Sequence, residues 1–259
     1  MYSNLVKSES MLALSSSLIL THIWAIWIHI NKVVVVIGSM ASAHDIAEDI
    51  AKVAKEVHLS SRSSGIEISK LTQNMWQHSK IEYCYENGEI AFEDGALVAA
   101  DIILHCTGYK YDFPFLKTNG IITIEDNRVG PLYKHVFPPQ LAPTLSFVGI
   151  PHLVVNFLMI ELQAKWVASV LSGKTILPSK EEMLSDVEQY YRLMEAKGVP
   201  KHHTHTLLMM NMNEHLDWVA AQVGIQVDKQ QKEIFWDVVK EIRTSWLGYR
   251  DKLTGTWNQ

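Results

Sequence analysis

The sequence predicts an α/β fold with a helical C-terminal region, on three observations. Val33–Ile37 is a run of five β-branched residues closed by Gly38, the pattern of a strand buried on both faces of a parallel sheet. His44–Ala54 follows with Ile46, Ile50 and Val53 on one helical face, and Val57–Ser60 reads as a second strand. Strand, turn, helix and strand thus fall within about thirty residues, one βαβ unit. From Ser179 onward the apolar residues recur at helical spacing.

The chain opens on an apolar segment over residues 1–32. Met11–Ile30 is free of charge and about as long as a bilayer-spanning helix. Thr21, His22, His29 and several serines interrupt it, and it runs directly into the strand at Val33. The plainer reading is a non-native-like leader or an apolar helix lying on the domain. A membrane anchor, with Lys7 as a thin basic flank, is the alternative.

Beyond the βαβ unit, short apolar runs at Ile81–Tyr85, Ile90–Phe92 and Leu97–Val98 are separated by Asn87-Gly88 and Asp94-Gly95. Those dipeptides favour tight turns, so this region predicts an antiparallel meander. Asp101–Cys106 is another buried strand, stopped at Thr107-Gly108. Pro131 to Pro151 reads as irregular except for a strand at Leu145–Val148, ended by Gly149. Phe157–Leu171 follows as a helix.

In the last third, Ser179 and Glu182 form a capping box for a helix whose buried stripe is Met183, Leu184, Val187, Tyr191 and Met194. Gly198 and Pro200 stop that helix. Two more helices are predicted near Glu214–Val223 and Lys232–Trp246.

Composition narrows the function. The 259 residues are 47% hydrophobic and 20% charged, with a net charge of −5. That balance supports a sizeable core and disfavours binding to nucleic acid, which needs basic surface. Cys84 and Cys106 lie far apart and form no C-x-x-C pair, which argues against a disulfide framework, a zinc site or a redox dithiol. The implied compartment is reducing, and the cytoplasm is the expected location. His202, His203 and His205 cluster without an acidic or cysteine partner at ligand spacing, so no metal site is expected.

One motif carries chemistry. The turn Gly38, Ser39, Met40, Ala41, Ser42, Ala43 stands where a dinucleotide-binding fold places its glycine-rich loop. Gly38 makes the tight turn, and Ala43 lets the helix pack closely on the strand. The helix N-terminus then offers free N–H groups to a pyrophosphate, and Ser39 and Ser42 add hydroxyls. Met40 departs from the pattern, because a long side chain there crowds the phosphate approach.

Near the end of the next strand, an NAD site carries an Asp or Glu for the ribose 2′-hydroxyl. This chain has Ser60-Ser61-Arg62-Ser63 instead. Arg62 can pair with a 2′-phosphate and Ser61 can bond to it, so the expectation is NADPH rather than NADH. The plainer alternatives are an ordinary strand–helix turn and a solvated loop arginine.

Several longer stretches resemble flavin-containing monooxygenases of the plant S-oxygenating type. They are VVVVIGSMASAHDIAEDIAKVAKEVHLSSR, ADIILHCTGYKYDFPFLKTNGI, NRVGPLYKHVFPPQLAPTLSFVGIPH, ELQAKWVASVLSGK and GVPKHHTHT, and together they reach from Val33 to Thr206. The resemblance implies a Rossmann-like NADP-binding domain at 33–100 inserted in a partial FAD-binding domain. That second domain returns at 101–175, followed by a helical region at 176–259. It also implies NADPH and FAD as cofactors, O₂ as co-substrate, and a thioether substrate. In the plant group these are methylthioalkyl glucosinolates, converted to sulfinyl products. Glu161, Gln163 and Trp166 either line the flavin domain or serve helix packing, and packing is favoured. The family's opening G-x-G-x-x-G loop for FAD and its F-x-G-x-x-x-H signature have no counterpart here. The alternative reading is therefore a truncated, inactive family remnant that keeps only an NADP half-site. A pyridine-nucleotide disulfide oxidoreductase shares the architecture, but it needs the missing C-x-x-C.

Overall fold

The computed structural model describes residues 12–15, 26–62, 67–209, 212–249 and 252. The chain divides into two compact units, 1–109 with 245–259, and 110–244.

In the first unit the strands are β1 (Leu12–Ser15), β2 (Val33–Ile37), β3 (Glu56–Ser60), β4 (Ser69–Lys70) and β5 (Met75–His78). They continue with β6 (Ile81–Cys84), β7 (Glu89–Phe92), β8 (Leu97–Ala99) and β9 (Ile102–His105). Helix α1 (Ala41–Ala51) joins β2 to β3. The main sheet runs in the order β1-β9-β2-β3-β5-β4, parallel throughout except for β4. Strands β6, β7 and β8 form the expected antiparallel meander.

The run of valines now has its cause. Val34 and Val36 pack with Ala43, Ile46, Ala47 and Ile50 of α1, while Val35 packs with Ile81, Ile90 and Phe92 of the meander. With α1 on one face and the meander on the other, no position of β2 can be polar. The last carbonyl of α1 and one from the turn that follows it are met from another strand connection. Asn74 Nδ2 donates to the carbonyls of Ala51 and Ala54, at 2.8 and 3.1 Å.

Three expectations in this unit need correction. Helix α1 begins three residues before His44, at Ala41, and ends at Ala51. In the segment Met11–Ile30, expected to be an apolar helix, Leu12–Ser15 is a strand paired in parallel with β9, and Ile26–His29 is a turn of 3₁₀ helix. Residues 16–25 of that segment lie outside the described residues. The last helix stops at Thr244, and Trp246 stacks flat on His44 with ring centres 3.9 Å apart. Among the described residues, no helix is long and apolar enough to cross a membrane.

The second unit begins with the hairpin β10 (Thr123–Glu125) and β11 (Arg128–Gly130). Asp126 and Asn127 turn it with φ of 46° and 60°, the backbone of a tight hairpin turn. Among the described residues four α-helices follow: α2 (Asn156–Leu171), α3 (Lys180–Ala196), α4 (Met212–Ala221) and α5 (Lys229–Thr244). The capping box of α3 is formed in both directions, Ser179 Oγ accepting from the Glu182 N–H and Glu182 from the Ser179 N–H. Met183, Val187 and Met194 reach the core, whereas Leu184 and Tyr191 are only half-buried. The strand expected at Leu145–Val148 does not form. The Phe147 N–H bonds to Val136 and the Leu145 N–H to Leu141, so the backbone is satisfied without a strand partner.

A histidine cluster holds this unit from inside. His205 Nε2 accepts from the Val129 N–H at 3.1 Å, so its proton sits on Nδ1, which faces His135 Nδ1 at 2.9 Å. Burial lowers His205 to about 4, with His152 adding to the shift, and drives His135 well below the usual imidazole value. The unfolded chain binds these protons near pH 6.5 and the folded chain does not. Stability is therefore full above pH 6.5 and falls toward pH 4, by roughly 3 kcal/mol for His205 alone. Urea unfolding at pH 7 and pH 4.5 should show this loss, with a shallower slope in His205→Asn. Equal slopes in the two proteins would contradict the assignment.

Candidate functional site

In a parallel sheet, ligands bind at the carboxyl ends of the strands. The ends of β2 and β3 come together there. The Gly38 N–H donates to the Ser60 carbonyl at 2.9 Å, and Ser61 Oγ donates to Ser39 Oγ at 3.0 Å. The turn after β2 and the residues after β3, predicted separately from the sequence, thus form one edge.

Gly38 has φ +138°, and a Cβ on it would lie 2.4 Å from the Cys106 carbonyl oxygen. That oxygen cannot retreat easily, because the Cys106 N–H is bonded to the Ile37 carbonyl at 2.8 Å. The glycine is therefore demanded by the neighbouring chain after β9 as much as by the turn. Ala43 is fully buried in the cluster between α1 and the sheet, as the sequence pattern requires.

Met40 is the N-cap of α1. Its backbone is extended, and it makes no side-chain capping bond. Its side chain is 62% exposed rather than packed into the turn. Ala41 and Ser42 are exposed in the first turn. No carboxylate occupies that turn, so the positive end of the helix dipole faces outward uncompensated. By contrast α3 already carries Glu181 and Glu182 on its first turn. Ser61 is buried and Arg62 exposed at the end of β3, while Ser63 lies outside the described residues. Among the described residues Arg62 forms no ion pair.

Beneath this edge lies a polar chain that the sequence did not reveal. His58 on β3 and His78 on β5 meet at 2.9 Å, Nδ1 to Nε2, and His78 Nδ1 reaches Asp94 Oδ2 at 3.1 Å. Burial lowers both imidazoles, so both are neutral at pH 7. Burial alone would raise Asp94, but N–H bonds from Ser79 and Ala96 and the His78 ring outweigh it and hold the carboxyl below its ordinary range. The available signal was His58 at an inward position of a strand, where a polar residue demands a partner.

The remaining candidates are placed in the second unit. Gln163 Oε1 accepts from the Gly149 N–H at 2.9 Å, while its Nε2, and Nε1 of Trp166, are buried without a partner among the described residues. Glu161 pairs with Lys165 on the helix surface. His202 faces Asp126 at the surface while His205 is buried against His135, so the three histidines of the H-H-T-H stretch do not converge. Among the described residues no group of histidine, cysteine and carboxylate could hold a metal ion.

Residues 75–231 match the flavin-binding monooxygenase-like family. The chain belongs to this family. Within it, the chain is 50% identical over 225 residues to flavin-containing monooxygenase FMO GS-OX-like 2 of Arabidopsis thaliana, covering 85% of this chain and 48% of that protein. It is 55% identical over 203 residues to FMO GS-OX5 of the same plant, covering 77% and 44%. The S-allyl-L-cysteine S-oxygenase structure from Allium sativum superposes with a TM-score of 0.81 at 47% identity, over 89% of this chain and 54% of that one. The chain spans about half the length of the curated relatives it matches. The family match begins at Met75, downstream of the β2–α1 turn, so the reading of that turn rests on its own geometry.

The described residues of this family member can be tested against the two cofactors. The β2–α1 turn fits a phosphorylated dinucleotide: an uncapped helix N-terminus, paired serines and an arginine meet at one sheet edge. FAD is less well served. The N-terminus of α2 is free of a side-chain cap, and Gln163 Nε2 lacks a partner among the described residues. Among the described residues, however, no second parallel strand, glycine turn and helix follow one another as β2 and α1 do.

Proposed function

We propose that the β2–α1 turn holds NADPH, with its pyrophosphate on the N-terminus of α1 over Gly38, Ser39, Met40, Ala41, Ser42 and Ala43. Ser61 and Arg62 meet the 2′-phosphate. The observation that carries the reading is Arg62, standing where an NAD site would have a carboxylate, beside a serine already bonded into the phosphate turn. Residues 33–100 then form the NADP-binding domain, 101–175 the returning part of an FAD-binding domain, and 176–259 the helical region.

On this reading the NADPH serves a flavin-dependent oxygenation of a small thioether by O₂. The S-oxygenase name of the Allium sativum relative supports sulfur as the oxygenated atom, and methylthioalkyl glucosinolates are the substrate class that the resemblance to the plant group implies. FAD supplies the oxygen-activating chemistry in such enzymes. The two unlinked, raised-pKa cysteines fit a reducing cytoplasm. A second reading is an inactive chain with only the NADP half-site; what supports it is that the described residues hold no second strand, glycine turn and helix of the β2–α1 kind. Adding FAD to the purified protein separates the two: retained yellow flavin supports the first, and its loss on gel filtration supports the second. The half-site itself is tested by calorimetric titration with NADP⁺ and NAD⁺. NADP⁺ should bind at least about tenfold more tightly, the worth of one charge-assisted bond to phosphate. Equal affinities would refute the assignment.

A further inference from the structure

We propose that Asp94, on the turn between β7 and β8, is the positioning residue for the nucleotide-facing end of β3, an inference that rests on the NADPH reading of that edge. Its carboxylate is buried, with only 5% of the side chain exposed, on a hairpin turn that would ordinarily be solvated. Oδ2 accepts from the Ser79 N–H at 2.9 Å and from His78 Nδ1 at 3.1 Å, and Oδ1 accepts from the Ala96 N–H at 3.0 Å.

The two residues it holds pass the constraint on. The His78 carbonyl accepts from the Ser61 N–H at 3.2 Å, and the Ser79 carbonyl accepts from Ser60 Oγ at 3.1 Å. Ser61 in turn bonds Ser39 at 3.0 Å. One carboxylate therefore fixes, through the last residue of β5 and the one after it, both residues that precede Arg62 and the first serine of the phosphate turn. Arg62 is exposed, so the direction in which it leaves the sheet is set by the backbone at Ser60 and Ser61.

The imidazoles lock the same path. Because Asp94 only accepts, the His78 proton sits on Nδ1, and His78 Nε2 accepts from His58 Nδ1 at 2.9 Å. Phe92 stacks on His78 with ring centres 4.3 Å apart, and Trp76 stacks on His58 at 5.1 Å, which holds both rings in plane.

Asp94→Asn keeps the shape of the side chain but must turn an amide N–H toward one of the N–H groups that Asp94 now receives. The NADP⁺ dissociation constant should rise about tenfold, the scale of one lost charge-assisted bond, with a smaller rise for NAD⁺, which shares the phosphate turn but presents no 2′-phosphate. The ¹⁵N shifts of His78 should change from those of the Nδ1–H tautomer. Ser60→Ala removes a link further along and leaves Asp94 untouched. It should lower the NADP⁺ preference in the same direction, and it decides the matter if Asp94→Asn does not fold. Wild-type selectivity in both folded variants, or in Ser60→Ala alone if only that variant folds, would overturn the positioning role and leave the NADPH reading intact. A wild-type protein without NADP⁺ preference would overturn both.

Discussion

Replacing Gly38 with alanine should cost the first unit about 3 kcal/mol of stability, summing left-handed backbone strain and overpacking. The new Cβ would sit 2.4 Å from the Cys106 carbonyl oxygen and 3.3 Å from the Cys106 Cβ. Neither strand end can yield cheaply. Cys106 is bonded to Ile37, and the Gly38 N–H is bonded to Ser60. Gly95→Ala is the matched control. Gly95 has φ +87°, but a methyl added there would meet nothing within 4 Å, so the variant should lose only about 1 kcal/mol, the strain of the left-handed backbone. Urea unfolding without nucleotide reads both. A Gly38→Ala loss no larger than that of Gly95→Ala would show that the glycine serves the turn alone.

Arg62→Ala should lower NADP⁺ affinity by about ten- to a hundredfold, the range for losing charge-assisted bonds to a phosphate. NAD⁺ affinity should not change, because NAD⁺ presents no 2′-phosphate. Stability should barely move. Arg62 is exposed and forms no ion pair among the described residues, so its removal leaves no buried partner behind. The effect on the ligand is thereby separated from any effect on the fold. Arg62→Lys should recover part of the affinity, since the charge returns without the bidentate geometry. An unchanged NADP⁺ affinity in Arg62→Ala would mean that the arginine is a solvated loop residue.

Much of the fold was legible because its signals are local. The five-residue run Val33–Ile37, the Asn87-Gly88 and Asp94-Gly95 turns and the Ser179–Glu182 box each fix their own element. What failed depended on distant partners. Strand β5 was missed because its buried residues are Met75 and His78, a spacing that breaks strand alternation and is explained only by its pairing with β3. Hairpin β10–β11 was missed because its turn is made by Asp126 and Asn127 without a glycine. The stretch from Leu145 to Val148 looked like a strand by composition, yet its backbone bonds go to Leu141 and Val136.

The site divides in the same way. The turn at Gly38 and the arginine after β3 could be read as motifs, but their meeting through Ser39 and Ser61 could not. The Asp94-Gly95 dipeptide was legible as a turn and silent about its second role. That role needs His78 and Ser79 from another strand to come within bonding distance, which is a property of sheet register.

The most direct test of the account is an amide ¹H–¹⁵N correlation spectrum of the protein titrated with NADP⁺. The account predicts the largest shifts at Ser39–Ala43 and at Ser61 and Arg62, with the latter two unmoved by NAD⁺. Shifts confined to the second unit, or no shifts at saturating NADP⁺, would contradict it.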